Sequence, residues 1–310
     1  MGYKLAGYEV IGNCEIDPAI NKMYVKNFHP KYNFNIPIQE FCSRDDIPEE
    51  LFGVDILDGS PPCSTFSMAG KRDENWGKAK KFREGQAEQV LDDLFFHFID
   101  VAELLKPKVV IAENVKGLVT GKARGYVNLI MKRFAEAGYD VQLFLLNSAT
   151  MGVPQKRERC FFIARRKDLN FPKIILQFNE KPILYGEIAS DNYKPLDQST
   201  KMYNLWLNRR PGDRTLSEAS ERVHGCEFGY SYRYAHKSIV CPTVTSHSNL
   251  ILRYDVPGAL SDEDIMKVQT FPQDYDFCGN SVEYVCGMSV PPVMMKKIAA
   301  EVYRQWLAEK

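Results

Sequence analysis

The sequence predicts an α/β protein built on a doubly wound sheet, with a second, smaller and irregular domain. Three observations carry that expectation. Apolar runs of strand length (Val54–Asp58, Val109–Ala112, Tyr139–Leu146, Cys160–Ala164) are interleaved with longer stretches whose apolar residues recur at helical spacing. Such alternation is the signature of strand–helix–strand units. From about Asn170 the periodicity fades and Pro, Asn, Asp and Ser become frequent, which marks off the second domain.

Composition sets the outer bounds. A chain of 310 residues forms one large domain or two. With 45% hydrophobic and 26% charged residues it is ordinary for a globular protein. No apolar run approaches the ~20 residues of a membrane span. The N-terminus carries no signal-peptide pattern, so the expected location is the cytoplasm. The eight cysteines lie far apart with no Cys-x-x-Cys, which predicts reduced thiols and no metal site. Net charge is zero, which counts mildly against a nucleic-acid binder. The charge is uneven, however. Between Gly70 and Arg83 six basic residues face two acidic ones, and further clusters lie at Arg157–Lys167 and Arg209–Arg214. Phosphate contacts need local positive charge and not a basic whole.

In chain order, Met1–Tyr8 reads as a helix and Tyr8–Glu15 as a strand ending in an acid. Asp17-Pro18 opens a helix with Pro in its first turn. Val54–Asp58 is a buried strand ended by Gly59; Pro61 and Pro62 then stiffen the chain ahead of Cys63. Strand ends are where open α/β sheets bind ligands. Gly70–Gly85 is a basic loop punctuated by glycine. Val90, Leu91, Leu94, Phe95, Phe98, Val101, Ala102 and Leu105 predict a helix ending before Lys106-Pro107. Val109–Ala112 delivers Glu113-Asn114-Val115, and Tyr126–Ala137 is an amphipathic helix stopped by Gly138. Gln155-Lys-Arg-Glu-Arg159 leads into the strand Cys160–Ala164. Beyond Asn170, Lys173–Gln177 and Ser238–Cys241 read as short strands. Ser261 caps a helix, with Asp264 in the capping-box position. A last helix carries Met294, Ile298 and Val302 and returns to the first domain. The expected domains are therefore residues 1–169 plus 281–310, and residues 170–280.

Four blocks fall in one order: Pro62-Cys63, Glu113-Asn114-Val115, Gln155-x-Arg157-x-Arg159 and Gly287-Met-Ser-Val-Pro-Pro292. In order and spacing they resemble the cytosine-C5 DNA methyltransferases, over nearly the whole chain. Phe271-Pro-Gln-Asp-Tyr275 and Pro242-Thr-Val-Thr-Ser-His247 resemble further blocks of that family. The resemblance implies a Rossmann-like methyltransferase sheet, a target-recognition domain at 170–280, and transfer of a methyl group from S-adenosylmethionine to cytosine C5 in duplex DNA, with S-adenosylhomocysteine as product. It implies Cys63 as nucleophile and Glu113 as the acid near N3 of the base. Arg157 and Arg159 would hold the base carbonyl, a phosphate or Glu113 itself, and Asn114 would fix the local turn. Glu15, Ile16, Asn35, Ile36, Pro62, Leu94 and Ser289 fall at cofactor positions. Ser64, Lys71, Arg72, Gln155, Arg209 and Arg210 fall at DNA-contact positions. A monomer is expected, with a cognate restriction endonuclease as its partner in the same system.

Two departures fall on the cofactor's amino-acid end. The family's glycine-rich opening turn has no counterpart, so a central first strand is expected to be wanting. Met288 stands where the family has Asn. Each residue also has a bland reading: a strand-end Cys is more often core, and paired Glu and Arg are more often plain ion pairs. Other readings of the whole are an RNA (tRNA) cytosine-C5 methyltransferase, a catalytically degenerate DNA-binding relative, and a thiol-redox enzyme. The last is disfavoured by the lack of a second cysteine near Cys63.

Overall fold

The computed structural model describes residues 1–62, 79–80, 89–90, 93–120, 124–228, 232–246 and 251–308, with backbone alone at 79–80 and 89–90. Cys63, Ser64, Lys71 and Arg72 lie outside the described residues. The chain divides into two compact units. One comprises Glu9–Leu146, Glu158–Leu176 and Ala300–Lys310; the other comprises Met1–Tyr8, Asn147–Arg157 and Gln177–Ala299. The division places residues 1–8, 147–157 and 281–299 in the unit that holds most of residues 170–280.

The first unit is an α/β structure of the doubly wound, Rossmann-like class. It contains β1 (Gly12–Cys14), α1 (Pro18–Phe28), β2 (Tyr32–Phe34), β3 (Ile56–Gly59), α2 (Leu94–Leu105), β4 (Val109–Val115), α3 (Arg124–Glu136), β5 (Tyr139–Asn147) and β6 (Glu158–Arg166). Asp17 starts α1 by accepting from the N–H groups of Ala19 at 2.8 Å and Ile20 at 3.3 Å. Helix α2 begins at Leu94, not at Val90 as the apolar spacing predicts; Gln89–Val90 pairs instead with Ala79–Lys80 as a short antiparallel ribbon.

Four strands form one sheet in the order β3-β4-β6-β5. β3 and β4 run parallel, from Ile56 opposite Val109 to Gly59 opposite Ala112. β6 runs antiparallel to β4, with Val109 opposite Arg165 and Val115 opposite Arg159. An all-parallel sheet is therefore not what forms. β5 and β6 are neighbours joined without a crossover helix, and only a crossover returns a chain in parallel. Period-2 alternation sends Val110, Ala112, Cys160, Phe162 and Ala164 into one core with Phe95, Phe98 and Ile99 of α2 and Ile130 and Phe134 of α3. Val109, Ile111, Phe161 and Ile163 point the other way and are equally buried, so both faces of β4 and β6 are covered. β1 and β2 form a separate parallel pair. Among the described residues no strand joins that pair to the four-stranded sheet.

Lys173–Gln177 is not a strand. Its backbone is held by side-chain amides: Gln142 bonds both polar groups of Ile174, and Gln305 bonds both of Ile175. Trp306 stacks on Phe171 and donates its indole N–H to the Pro172 carbonyl at 2.8 Å.

The second unit is more regular than its composition predicts. A four-stranded sheet runs β8-β9-β10-β7, from β7 (Tyr193–Pro195), β8 (Arg233–Ala235), β9 (Ile251–Arg253) and β10 (Gly258–Leu260). Its core joins Tyr234, Leu252 and Ala259 to Leu205 and Trp206 of α4 (Lys201–Leu207) and Leu216 and Ala219 of α5 (Leu216–His224). Ser261 caps α6 (Asp262–Gln269) as expected. Asp264 is fully buried and does not close a capping box; its carboxylate accepts from Tyr185 Oη at 2.6 Å and Ser190 N–H at 2.8 Å. Ser238–Cys241 forms no strand beyond a single bridge from Cys241 to Gln155. Helices α7 (Val282–Met288) and α8 (Pro292–Val302) follow.

A buried polar net ties this unit together. Gln155, fully buried, accepts from Val244 N–H at 3.0 Å and donates to the side chain of Gln269, which in turn donates to the Ser289 carbonyl at 2.8 Å. Arg157 is 1% exposed and donates to the carbonyls of Val244 and Gly287, each at 2.7 Å. Gly287 has no room for a Cβ, because the Thr245–Ser246 backbone lies against it.

Two outcomes are expected. Arg157→Ala strips both carbonyls of their donor and opens a cavity, lowering stability by about 3–5 kcal/mol, read as a fall in Tm of roughly 10 °C; a fall under about 2 °C would show that the clamp matters little. Gly59→Ala would thrust a methyl group into the ring of buried Phe98 and should cost about 1–3 kcal/mol. Phe98→Leu in the same chain should return part of that loss in a thermal melt.

Candidate active site

β3 and β4 keep register as far as Gly59 and Ala112. Past that point β4 continues through Glu113, Asn114 and Val115, while the chain from β3 turns off through Ser60, Pro61 and Pro62. Prolines have no N–H, so this turn cannot extend the ladder with backbone donors of its own. Asn114 supplies the missing bond. Its Nδ2 donates to the Pro61 carbonyl at 2.9 Å, and its Oδ1 accepts the Val115 N–H at 2.9 Å. Asn114 is 4% exposed and Pro61 is buried. The expectation that Asn114 fixes a local turn thus acquires a partner.

Glu113 and Arg159 meet by strand arithmetic. Arg159 stands opposite Val115 on β6, and Val115 shares a strand face with Glu113 two residues back. Arg159 Nε lies 2.9 Å from Glu113 Oε1, and its Nη1 donates to the Glu158 carbonyl at 2.8 Å. Glu113 is 8% exposed, so the pair is largely withdrawn from water. Of the three roles open to Arg159, the structure shows the pairing with Glu113. Lys116 and Glu158 form a second, more exposed pair at 2.9 Å.

The other residues of the Gln-x-Arg-x-Arg block, Gln155 and Arg157, belong to the second unit. Gln155 and Arg157 are sealed in the second unit by the bonds above. The bonds described for both side chains run to groups of that unit.

The residues expected at the nucleoside end of a cofactor cluster around the ends of β1 and β2 and the start of α2. Glu15 follows β1, and its carboxylate accepts the Asp17 N–H at 2.8 Å. Burial pushes the Glu15 carboxyl above its ordinary pKa, with the Asp17 amide pulling the other way. Asn35, exposed after β2, donates to the carbonyls of Glu15 at 2.6 Å and Ile16 at 3.3 Å, tying the two strand ends. Ile16, Ile36 and Pro62 are half-buried, and Leu94 is buried at the start of α2. A partly desolvated acid beside apolar side chains at a strand end suits a ribose diol and a flat base. Ser289 lies in the second unit, where its Oγ donates to the Val285 carbonyl at 2.6 Å. Met288 is exposed. The described residues include no glycine-rich turn for the cofactor's amino-acid end.

Arg209 and Arg210 differ in surroundings. Arg209 lies over the Trp206 ring at 3.3 Å and donates to the carbonyls of Tyr254 at 2.9 Å and Trp206 at 3.0 Å, so it serves chiefly to hold α4 to the sheet. Arg210 is exposed. Among the described residues no helix is long and apolar enough to cross a membrane, and no cluster of His, Cys, Asp and Glu could hold a metal ion.

The family model for C-5 cytosine-specific DNA methylase matches residues 1–304. Type II methyltransferase M1.HphI of Haemophilus parahaemolyticus is 28% identical over 98% of this chain and 83% of its own length. Type II methyltransferase M.FnuDI of Fusobacterium nucleatum is 37% identical over 55% of this chain and 44% of its own length, so the match spans less than half of that relative. Among solved structures, a prophage-encoded protein (E. coli) described as a DNA modification methyltransferase superposes with a TM-score of 0.70 at 18% identity, covering 99% of this chain and 95% of that one. DNMT2 of Spodoptera frugiperda does so at 0.63 and 17%, covering 97% and 95%. At those identities the structural likeness speaks for the fold. The family match settles kinship: the chain belongs to the C-5 cytosine-specific DNA methylases and is by that membership a DNA (cytosine-5) methyltransferase.

Proposed function

We propose that this chain methylates C5 of a cytosine flipped out of a specific duplex sequence, through a covalent bond between Cys63 Sγ and C6 of the base. The observation that carries the proposal is the Glu113–Arg159 pair at the end of β4, beside the β3 end that leads into Pro61-Pro62-Cys63. Cytosine C5 is a poor nucleophile. Attack of the Cys63 thiolate on C6 forms the S–C6 bond and moves the electron pair of the C5–C6 double bond toward C5. Glu113 is suited to donate a proton to N3 as C6 is attacked while its other oxygen accepts from the exocyclic amine, and Arg159 to hold that carboxyl group in place. Once C5 carries the methyl group, loss of the C5 proton to solvent and of the thiolate restores the aromatic ring. S-adenosylmethionine supplies the methyl group and leaves as S-adenosylhomocysteine. Glu15 and Asn35 would hold its ribose and adenine ends, with Ile16, Ile36, Pro62 and Leu94 as apolar neighbours and Ser289 as a further contact.

The base must leave the stack to be reached, at a cost of about a few kcal/mol. The basic stretch after Cys63, with Ser64, Lys71 and Arg72, has the charge to hold phosphates, and exposed Arg210 can add to it. In this reading residues 1–169 with 281–310 carry the chemistry, and 170–280 read the sequence. The enzyme acts as a monomer in the cytoplasm, beside a restriction endonuclease of the same system. The last point is supported by relatives named type II methyltransferases.

Duplex DNA of mixed sequence should accept labelled methyl groups from S-adenosylmethionine. DNA carrying 5-fluorocytosine should form an adduct that survives denaturation, since fluorine cannot leave as the proton does. Cys63→Ser should abolish the adduct; an adduct that persists would remove Cys63 from its role. Glu113→Gln should lower kcat by about 10²–10³-fold with the fold intact by circular dichroism. A loss below about fivefold would leave Glu113 a structural ion pair.

A further inference from the structure

The Arg210–Arg214 turn is built more firmly than an exposed loop requires. Pro211 and Gly212, the latter at φ 97°, make a tight turn closed by the Asp213 N–H on the Arg210 carbonyl at 3.1 Å. Asp213 is 8% exposed. Its carboxylate accepts the Arg210 N–H at 2.8 Å and Nη1 and Nη2 of Arg222 at 3.0 and 2.5 Å, and its carbonyl accepts Nε2 of His236 at 2.7 Å. The chain beyond the turn is tied to β8. The Arg214 carbonyl accepts the Tyr234 N–H at 2.9 Å, and Thr215 bridges Arg233. Glu218 is committed to the same backbone, accepting the N–H groups of Arg214 at 2.5 Å and Thr215 at 2.7 Å.

This frame displays arginines. Arg210, Arg214 and Arg233 are exposed, and among the described residues none has a carboxylate partner. Other surface cations of the unit, Lys194, Lys237 and Lys267, pair with Asp262, Asp255 and Glu263. Here the nearby acids are turned to the backbone and to Arg222, which leaves the outer guanidiniums uncompensated. Like charges held side by side repel one another, so folding gives no reason to gather them. A polyanion gives one, and a row fixed before binding loses less conformational entropy than one ordered by its ligand.

We propose that Asp213 is a positioning residue for DNA binding: it locks the turn against β8, so that Arg210, Arg214 and Arg233 meet the phosphates of the duplex as a preset row. The proposal rests on the reading of duplex DNA as the substrate. The role of Asp213 has a sign that charge alone would reverse. Removing a carboxylate from a surface that binds a polyanion should tighten binding; removing the group that holds the arginines should loosen it. Asn keeps the shape of Asp but turns an amide donor toward Arg222 and the Arg210 N–H, which are donors themselves.

The test follows binding of the full chain to a mixed-sequence duplex across a salt series, by fluorescence anisotropy. Arg214→Gln and Arg233→Gln should each flatten the slope of log K against log salt by about 0.9, one phosphate contact apiece. Asp213→Asn should weaken binding about five- to tenfold at about 0.1 M salt and flatten the slope as well. Unchanged or tighter binding by Asp213→Asn, or slopes within about 0.3 of the unsubstituted chain for both arginine variants, overturns the proposal. Should Asp213→Asn fail to fold, Gly212→Ala disturbs the same turn without altering any charge. Its methyl group meets no atom within 4 Å but strains the backbone at positive φ, and the same readouts decide. If the unsubstituted chain binds no duplex, the reading of DNA as substrate has failed and the row falls with it. Salt-dependent binding that ignores Arg214, Arg233 and Asp213 sinks the row alone.

Discussion

β4 is bonded on both edges and buried on both faces, and the catalytic side of the molecule depends on that confinement. A strand held by a parallel neighbour on one side and an antiparallel one on the other has no register left to choose. The parallel pairing decides where β3 stops beside it. The antiparallel pairing decides which residue of β6 stands level with its last turn. Glu113, Asn114 and Arg159 thus take their places from main-chain hydrogen bonds rather than from any attraction among themselves. The Glu113–Arg159 ion pair is a consequence of the register and not its cause.

Much of this was legible in the sequence, because buried strands write themselves as unbroken apolar runs. Val109–Ala112 and Cys160–Ala164 are such runs, and the polar residues after the first and before the second stood out for that reason. What the sequence did not disclose depends on partners far along the chain. Arg157 is bonded to carbonyls 87 and 130 residues away, and no local pattern announces a buried guanidinium. Arg209 and Arg210 are chemically identical neighbours, yet one is stacked on Trp206 and the other faces water. Both follow the end of α4, and only Arg209 finds carbonyls and an aromatic ring within reach. Val90 kept the helical spacing of α2 but joined a ribbon, since spacing marks a face and not an end. Asn114 could have been singled out sooner: an Asn just past the last paired residue, level with two prolines that lack donors, has a clear vacancy to fill.

The second unit follows a different logic. Its strands are three residues long and cannot bury much between them, so polar groups take over part of the work that apolar packing does in the first unit. Gln155, Gln269, Arg157 and Asp264 are buried, and their hydrogen bonds run to backbone groups of segments distant in sequence. Such bonds tolerate little substitution, because a buried carbonyl deprived of its donor costs more than an apolar contact slightly loosened. Loops of varied sequence can then sit on a frame whose geometry is specified by a few amides and one guanidinium.

The chain passes between the two units within Gln155–Arg159, with Arg157 on one side of the boundary and Glu158 on the other. Five consecutive residues thus belong to two bodies at once. An exchange between relatives that took only Gln177–Ala299 would leave the donors of Gln155 and Arg157 behind and import carbonyls evolved for another host's donors. Inheritance of the second unit is therefore coupled to an eleven-residue insert, Asn147–Arg157. A hybrid cut at both junctions would travel with its clamp; one cut at a single junction would arrive without it.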